Sequence, residues 1–217
     1  MNEPLATALL ATAHTLVDHR LNVGSSGNVS VRDGADFLIT PSGMAPAACT
    51  TADMVSMTMD GQPCGRRAPS SEWRIHRDIY RRFPAAAAII HTHAPFATAL
   101  ACLRREIPPF HYMIARFGGD TVRCAAYATF GTEALSHTAL AALEARSACL
   151  LANHGMVVYG HGLDHALALA EEFETLCEQY WRACQLGAPV LLTRAEMADA
   201  IERFRDYGSP QPDSYGG

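Results

Sequence analysis

Lysine is missing from this sequence, so all 17 of its Lys and Arg positions are arginine. Catalysis through a Schiff base, on a carbonyl substrate or on pyridoxal phosphate, requires a lysine amine. The chain therefore cannot use that route. If it makes or breaks a carbon–carbon bond beside a carbonyl group, a metal ion has to accept the negative charge that develops.

Other absences narrow the class of protein further. No apolar stretch is long and charge-free enough to span a bilayer, and no signal-like segment is present near residue 1, so neither a membrane protein nor a secreted one is expected. The seven cysteines include no C-x-x-C pair, which favours reduced thiols in a cytoplasm over a disulfide framework. The arginines are dispersed and the formal net charge is −5, so no nucleic-acid partner is indicated.

Helical and strand patterns alternate along the 217 residues and predict one α/β domain. Helical spacing marks residues 4–21, and turn signals at Asp33-Gly34 and at 153–155 predict hairpins. Strands, hairpins and interspersed helices together predict a mixed, mostly antiparallel sheet with helices packed on it. We assign residues 1–208 to this domain and the Pro/Gly/Ser-rich residues 209–217 to a flexible C-terminal tail.

Two histidines, His91 and His93, close an apolar run that is typical of a buried strand. Residues i and i+2 of a strand lie on the same face, so both imidazoles project the same way from its end. Removing two adjacent imidazoles from water costs free energy unless something bridges them. The pair therefore predicts two nitrogen ligands for one metal ion.

His154 and Glu72 complete a candidate ligand set. His154 follows another apolar run, on a tight Asn-His-Gly turn. Glu72 stands where Ser70 or Ser71 can cap the start of a helix. A lone buried histidine is more often a hydrogen-bonded core residue than a ligand. The assignment of His154 as a metal ligand is therefore supported mainly by the presence of His91 and His93. Three histidines, with a carboxylate that can yield its place to substrate, suit Zn²⁺.

The other histidines lie mostly in helical or polar segments, where a solvated imidazole is expected for most of them. They are His14, His19, His76, His111, His137, His161 and His165. Of these, His111 belongs to a segment that is considered below for another reason.

Three short polar loops can offer backbone N–H groups to an anion. Two of them, 24–28 and 40–43, contain glycine, and the third is the Ser70-Ser71 pair at the predicted helix start. Glycine lets the backbone turn its N–H groups toward an anion, and a helix N-terminus adds the positive end of its dipole. Each loop by itself is more typical of a simple turn, but Glu72 directly follows Ser71. The arrangement predicts a phosphate held beside the metal, as a phosphorylated carbonyl substrate requires.

Seven segments resemble the zinc-dependent class II aldolase family, and most of all its fuculose phosphate aldolase branch. In family order along nearly the whole chain they are residues 21–32, 38–43, 69–74, 91–93, 111–115, 124–132 and 153–155. The segments at 111–115 and 124–132 are the most specific to that branch. The resemblance implies a single three-layer α/β domain, with a mixed central sheet flanked by helices, as the catalytic domain.

Position by position, the resemblance also implies a set of site residues. One Zn²⁺ per subunit would be bound by Glu72, His91, His93 and His154. The phosphate would be held by Gly27, Asn28, Ser42, Gly43, Ser70 and Ser71. Tyr112 would reach the active site of a neighbouring subunit, and Tyr207 matches a second tyrosine of the family, near the C-terminus; with Glu72, both are assigned as catalytic. The implied assembly is a homotetramer with active sites at subunit interfaces.

The reaction implied by the resemblance is cleavage of a ketose 1-phosphate, such as L-fuculose 1-phosphate. The products are dihydroxyacetone phosphate and a hydroxyaldehyde such as L-lactaldehyde. Zinc would stabilise the enediolate, Glu72 would move the carbon-bound proton, and Tyr112 would protonate the aldehyde oxygen. The alternatives are a related sugar-phosphate decarboxylase, dehydratase or pentulose-phosphate epimerase. A non-enzymatic, adducin-like binding module is a further alternative. Such modules lack the zinc ligands, whereas this sequence has a ligand-capable residue at all four positions, which disfavours that alternative.

Overall fold

The computed structural model describes residues 2–205, which form six α-helices and eight β-strands. The helices are α1 (Glu3–Asp18), α2 (Trp73–Arg82), α3 (Pro95–Ala101), α4 (Glu133–Ala142), α5 (Leu163–Leu186) and α6 (Arg194–Arg205). The strands are β1 (Asn28–Asp33), β2 (Asp36–Ile39), β3 (Val55–Met57), β4 (Pro63–Cys64), β5 (Ala88–Thr92), β6 (Cys124–Ala125), β7 (Ala148–Leu151) and β8 (Gly155–Gly160). Short 3-10 helices add Pro46–Ala48, Thr51–Asp53 and Tyr112–Phe117.

All eight strands belong to one open sheet with the order β4-β3-β2-β1-β5-β8-β7-β6. Neighbouring strands are antiparallel except for β6 and β7, which run parallel. The predicted mixed, mostly antiparallel sheet is therefore confirmed. Strand β5 lies inside the sheet, where its His91 is opposite Asn28 of β1 on one side and Val157 of β8 on the other. Its end is consequently held from both sides.

Helices cover both faces of the sheet and produce three layers. Because side chains alternate along a strand, Ile90 of β5 packs into one core and Ile89 into the other. The first core contains residues of α1, α3 and α5, whereas the second contains residues of α2 and α4. Both cores are fully desolvated at the central strands, where Ile89 and Ile90 have no exposed surface. The end of β5, which carries His91, is therefore part of a rigid frame.

The turn signals in the sequence correspond to observed turns. Asp33 and Asp36 close the β1–β2 hairpin around Gly34, whose φ of 62° is one that glycine adopts readily. Pro95 is the first residue of α3, as a first-turn proline should be. Helix α1 ends at Asp18 rather than at the predicted residue 21, since the chain turns there to bring Leu21 into the core.

The expected cap of α2 was wrong. Glu72, rather than Ser70 or Ser71, occupies the N-cap position, and its side chain makes no capping hydrogen bond. The Ser70 hydroxyl instead accepts from the Glu72 N–H at 3.3 Å, within a tight turn before the helix. Since its carboxylate is not used for capping, Glu72 is free to face the sheet.

Among the helices of residues 2–205, none is both long and apolar enough to cross a membrane. Tyr207 and the predicted tail, 209–217, lie outside the described residues. The division into a domain of residues 1–208 and a tail thus stays a prediction.

Candidate active site

Three histidines meet where the middle strands of the sheet end. His91 is the fourth residue of β5 and His93 follows its last residue, so both lie at the carboxyl end of that strand. Strand β8 runs antiparallel to β5, with Met156 opposite Thr92. The turn that precedes β8 therefore lies beside the end of β5. That turn carries His154, which explains why residues about sixty positions apart come together.

The close approach of this turn requires glycine at position 155. A Cβ atom placed on Gly155 would lie 2.3 Å from the Thr92 carbonyl oxygen and 3.1 Å from Cδ2 of His93. The first distance is far below van der Waals contact, and the second is a few tenths of an ångström short of it. The preceding Asn153 adopts a left-handed φ of 52°, which asparagine tolerates better than most residues. The Asn-His-Gly sequence thus shapes the turn that delivers His154.

The geometry of the three imidazoles is that of a metal-ligand set. One nitrogen from each of His91, His93 and His154 can be chosen so that all lie within 4.8 Å of one another. The Nε2 atoms of His91 and His93 are 3.1 Å apart. Two nitrogen ligands of a tetrahedral zinc ion, with Zn–N near 2.0–2.1 Å, are separated by about 3.3 Å. The observed spacing is close to that value.

Hydrogen bonding selects the nitrogen that faces the centre. The carbonyl oxygen of Met156 accepts from Nδ1 of His91 at 2.8 Å, inside the sheet. A histidine that donates through one ring nitrogen leaves the lone pair of the other for a ligand, and metal-binding histidines generally have such an orienting partner. Nε2 of His91 therefore points its lone pair into the cluster. His91 is 1% exposed, so water cannot compensate that lone pair.

Glu72 faces two of these histidines from the start of α2. Its Oε2 lies 3.0 Å from Nε2 of His91, and its Oε1 lies 3.3 Å from Nε2 of His154. Asn28 of β1 donates to Oε2 through Nδ2 at 3.1 Å. The carboxylate is buried, yet Oε1 has no hydrogen-bond donor. A buried carboxylate oxygen without a donor is costly, because it has given up its hydration without replacement.

A cation accounts for these contacts better than a proton does. A proton on Nε2 of His91 can be directed to Oε2 of Glu72 or to Nε2 of His93, but not to both at once. It also leaves Oε1 of Glu72 without a partner. A divalent cation attracts every one of these atoms together. The donor set, three imidazoles and one carboxylate, therefore fits a metal ion.

The protonation states support this assignment. At His91 burial is outweighed by the Glu72 carboxylate, which raises the pKa, whereas burial lowers the pKa of His93 and of His154 to about 4. Both imidazoles are thus neutral at neutral pH, as ligands must be. Burial alone would raise the pKa of Glu72, but the facing His91 and His154 and the Asn28 hydrogen bond outweigh it and hold that pKa well below its usual range. Glu72 is therefore ionised.

A cavity of about 310 Å³ opens beside the histidines. It brings together His93, His154, Glu72 and all six residues of the predicted phosphate set. The lining residues are Ser25, Ser26, Gly27, Asn28, Pro41, Ser42, Gly43, Ser70, Ser71, Glu72, His93, Tyr127, Ala128, Phe130, Asn153 and His154. No arginine is among those residues. An anion bound here would be held by neutral donors and by the nearby cation.

Uncommitted donors line one side of this cavity. The Ser42 N–H donates to the Ala68 carbonyl and the Ser70 N–H donates to the Thr40 carbonyl, each at 3.0 Å. These two hydrogen bonds join the loop of residues 40–43 to the segment that ends in Ser70 and Ser71. In residues 2–205, the N–H groups of Gly43 and Ser71 have no protein acceptor. Ser71 also lies just before α2, at the positive end of its dipole. The joined loops are therefore suited to a phosphate group.

The side chain of Asn28 is less available than the sequence suggested. Its carboxamide donates to Glu72 and lies 2.5 Å from Nε2 of His76, so both of its ends are engaged inside the protein. Gly27 beside it has a φ of 74°, and a Cβ there would collide with the Asn22 side chain. The two contacts of the Asn28 side chain leave the second N–H of Nδ2 as the part of the carboxamide that a phosphate could engage.

Comparison with known proteins identifies the chain at the level of family. The profile of the family described as Class II Aldolase and Adducin N-terminal domain matches residues 7–181. This chain belongs to the class II aldolase family. It is 50% identical to a 5-methylthioribulose-1-phosphate/5-deoxyribulose-1-phosphate aldolase of Rhodospirillum rubrum, over 94% of this chain and 92% of that one. An L-fuculose phosphate aldolase of Escherichia coli K12 is 40% identical, over 94% and 95%.

The fold comparison agrees with the sequence comparison. A solved structure of an L-fuculose 1-phosphate aldolase has a TM-score of 0.91 at 39% identity, and the match covers 94% of this chain and 98% of that one. The relatives are named as aldolases, which are lyases, and this class II aldolase is an enzyme of the same class. The family is metal-dependent, in keeping with the cluster of His91, His93 and His154.

Tyr112, one of the two predicted tyrosines, does not line this cavity. Tyr112 opens the 3-10 helix Tyr112–Phe117, is 53% exposed, and lines a separate cavity between that segment and α6. Its ring stacks near that of Phe204, with centroids 6.2 Å apart. Tyr207 lies outside the described residues. Any catalytic role of either tyrosine therefore remains a proposal.

Sequence reasoning missed three features of the class II aldolase site. Tyr127 and Phe130 line the cavity while remaining more than half exposed, although no spacing pattern pointed to them. His76, expected to be solvated, is fully buried behind Asn28. A signal for His76 did exist, since Glu72, His76 and Tyr80 follow one another at intervals of four and so share one helix face.

We predict that Gly155→Ala impairs the site. Its methyl group has to displace the Thr92 carbonyl or the His154 turn, and overpacking of this kind costs about 1–3 kcal/mol. Urea unfolding should show that loss, and bound metal should weaken with it. Gly162→Ala is the matched control, because a Cβ there meets nothing within 4 Å and its φ of 173° is open to any residue. Equal stability and metal affinity for the two variants would contradict the role given to Gly155.

Proposed function

We propose that this class II aldolase is a zinc-dependent enzyme that cleaves a ketose 1-phosphate into dihydroxyacetone phosphate and an aldehyde. The observation that carries the proposal is the position of the histidine cluster at the edge of a cavity lined by free N–H and hydroxyl donors. A substrate with a carbonyl next to a phosphate ester can reach the metal and the donors together. The complete absence of lysine removes the Schiff-base alternative.

His91, His93 and His154 would hold the zinc ion through their Nε2 atoms, with Glu72 as a fourth ligand that substrate can replace. When bound, the cation supplies Lewis-acid stabilisation of the negative charge that accumulates on the substrate oxygens. Zinc is proposed because neutral imidazoles with one carboxylate are among its preferred ligands. Gly27, Asn28, Ser42, Gly43, Ser70 and Ser71 would hold the phosphate group.

Glu72 would handle the proton on carbon. In the synthetic direction its carboxylate removes a proton from C3 of dihydroxyacetone phosphate, and the electron pair of that bond moves toward the carbonyl oxygen. In cleavage, the bond between C3 and C4 breaks, the C4 hydroxyl loses its proton to become the aldehyde, and Glu72 returns a proton to C3. An ionised carboxylate with one oxygen free of hydrogen bonds is suited to this exchange.

The aldehyde end of the substrate would lie against Tyr127 and Phe130, whose exposed rings border the cavity. The relatives named for 5-methylthioribulose 1-phosphate, 5-deoxyribulose 1-phosphate and L-fuculose phosphate suggest an aldehyde that ends in a methyl or methylthiomethyl group. The 5-deoxy- and 5-methylthiopentulose 1-phosphates are placed beside L-fuculose 1-phosphate as substrates on the strength of the 50% identity. A decarboxylase, dehydratase or epimerase has less support, because these relatives are all aldolases.

The assembly is proposed to be a homotetramer. Exposed Tyr112 and the half-buried Phe110 and Met113 form an apolar segment that a neighbouring subunit could cover. Closed symmetry would bring Tyr112 to the partner's cavity, where it would protonate the aldehyde oxygen. A cytoplasmic location is proposed as well, since all seven cysteines are free thiols.

The zinc proposal predicts about one ion per chain in the purified protein, measured by metal analysis. His93→Ala should lower the affinity for zinc by more than the ~10–100-fold that loss of a supporting contact costs, because it removes a ligand. His137→Ala, which removes an exposed histidine far from the cluster in sequence, should bind zinc normally. Full aldolase activity in a metal-free preparation would overturn the proposal.

The aldolase proposal predicts that the zinc-loaded enzyme releases dihydroxyacetone phosphate and an aldehyde from ketose 1-phosphates. The panel is L-fuculose, 5-deoxyribulose and 5-methylthioribulose 1-phosphates, with a pentulose 5-phosphate as comparison. Glu72→Gln should slow solvent exchange at C3 by on the order of 10²–10⁴-fold, since an amide is no base. Glu202→Gln, at an exposed position, should not. Release of CO₂ or water, or epimerisation of the pentulose phosphate, without aldehyde would favour the alternatives.

The assembly proposal predicts that Tyr112→Phe slows cleavage far more than exchange at C3. A phenol facing the aldehyde oxygen matters only when that oxygen gains or loses a proton, whereas exchange involves dihydroxyacetone phosphate alone. Aldehyde release and deuterium exchange are to be measured on the same preparation, and its mass by light scattering. Equal losses in both assays would remove Tyr112 as the acid, and a fully active monomer would remove its action across subunits.

A further inference from the structure

A chain of five buried polar side chains leads from Glu72 into the protein interior. Helix α2 and the residue before it contribute Glu72, His76 and Tyr80, and β1 contributes Asn28 and Ser30. Positions four apart on a helix and two apart on a strand each share a face, so the two sets oppose one another. His76 and Ser30 have no exposed surface, and the other three are at most 6% exposed.

The contacts form one continuous series. Tyr80 Oη lies 2.7 Å from Ser30 Oγ, and Ser30 Oγ lies 2.6 Å from Nδ1 of His76. Nε2 of His76 lies 2.5 Å from Oδ1 of Asn28, and Nδ2 of Asn28 lies 3.1 Å from Oε2 of Glu72. Every polar atom of the imidazole is therefore engaged, although the surrounding layer is apolar.

The chemistry of the groups sets the direction of each hydrogen bond. A carboxylate can only accept, so the carboxamide must turn its NH₂ to Glu72 and its oxygen to His76. His76 must then donate from Nε2, which leaves Nδ1 as an acceptor for the Ser30 hydroxyl. Ser30 in turn accepts from Tyr80. All four bonds point toward Glu72, and bonds aligned in this way strengthen one another.

His76 is suited to this place because it stays neutral. Burial lowers its pKa to about 3. Burial also raises the pKa of Tyr80, so its phenol keeps the proton that it donates. Neither group adds a charge near the proposed metal ligands. The hydrogen-bonded route from them to Glu72 passes through the carboxamide of Asn28.

We propose that His76 is a positioning residue for Glu72, acting through Asn28. By donating to Oδ1 it prevents the carboxamide from rotating, and Nδ2 then anchors Oε2 of the carboxylate. Oε1, which has no hydrogen-bond donor, is thereby assigned as the oxygen that exchanges the proton with substrate. The inference rests on the function proposed for Glu72 and adds which of its oxygens reacts and what orients it.

Without the donor from His76, the carboxamide could rotate and turn its oxygen toward Glu72. Two acceptors would then face each other in a buried site, and the carboxylate would move away from its reacting orientation. Outer partners of a metal site typically contribute 10–100-fold to affinity or activity. The loss should appear in the proton-transfer rate, because the phosphate loops and the aldehyde contacts do not involve His76.

The test compares His76→Gln with His76→Leu in the zinc-loaded enzyme. The side-chain amide of glutamine can place its nitrogen near the position of Nε2, whereas leucine fills similar space without a donor. We expect His76→Leu to lower kcat for C3 exchange into dihydroxyacetone phosphate by about 10–100-fold with KM nearly unchanged. His76→Gln should recover most of that rate. Ile79→Val, a buried change on the same helix, controls for lost stability.

A second measurement does not depend on activity or on the variants folding. Nitrogen-15 NMR of histidine-labelled wild-type protein should show His76 as the neutral tautomer with its proton on Nε2. A proton on Nδ1 would reverse the series and overturn the inference.

The kinetic outcomes separate this inference from the proposed function. If the wild type cleaves a ketose 1-phosphate and His76→Leu exchanges the C3 proton at the wild-type rate, this inference alone is overturned. Equal losses in the glutamine and leucine variants, or a loss confined to KM, would also overturn it. A wild type that cleaves no ketose 1-phosphate would remove the proposed function, and this inference with it.

Discussion

The convergence of three imidazoles on one buried carboxylate is the constraint on which the rest of the site depends. Unpaired lone pairs and an oxygen without a donor cannot remain buried at low cost unless a cation joins them. Strand β5 supplies two imidazoles, and the turn before β8 supplies the third. Strands β5 and β8 belong to a sheet whose two faces are covered by helices, so the three imidazoles are held in place from both sides.

A single residue, Gly155, decides whether that convergence is possible. Its hydrogen side chain lets the His154 turn lie against the Thr92 carbonyl, where a methyl group would be 2.3 Å away. Close approach of backbone segments also shapes the proposed phosphate site. Residues 40–43 and Ser70 are joined by hydrogen bonds, and among the described residues the N–H groups of Gly43 and Ser71, which line the cavity, have no acceptor. The proposed phosphate site would therefore rely on neutral donors rather than on lysine or arginine.

Much of the site could be predicted because its signals are local. Alternation along a strand placed His91 and His93 together, and an apolar run ending in Asn-His-Gly located His154. The mixed sheet followed from the hairpin signals in the same way. The helix start at Glu72 was predicted one or two residues early, because the Ser70 hydroxyl bonds to the Glu72 N–H in a turn before the helix. The burial of His76 was missed, because a histidine in a helix that also carries Arg74, Arg77, Arg81 and Arg82 was expected to be solvated, and only the packing of α2 against β1 shows that it faces inward.

The sequence by itself determined the chemical groups, the strand and turn that carry the histidines, and the exclusion of Schiff-base catalysis. Only the tertiary structure decided which groups face one another across elements distant in the chain. Asn28 belongs to the predicted phosphate set, and only the fold shows that its carboxamide lies between His76 and Glu72, since β1 pairs with β5 and packs beneath α2. Such an arrangement depends on sheet order and on desolvation by the packed layers, and neither property belongs to any local stretch of residues.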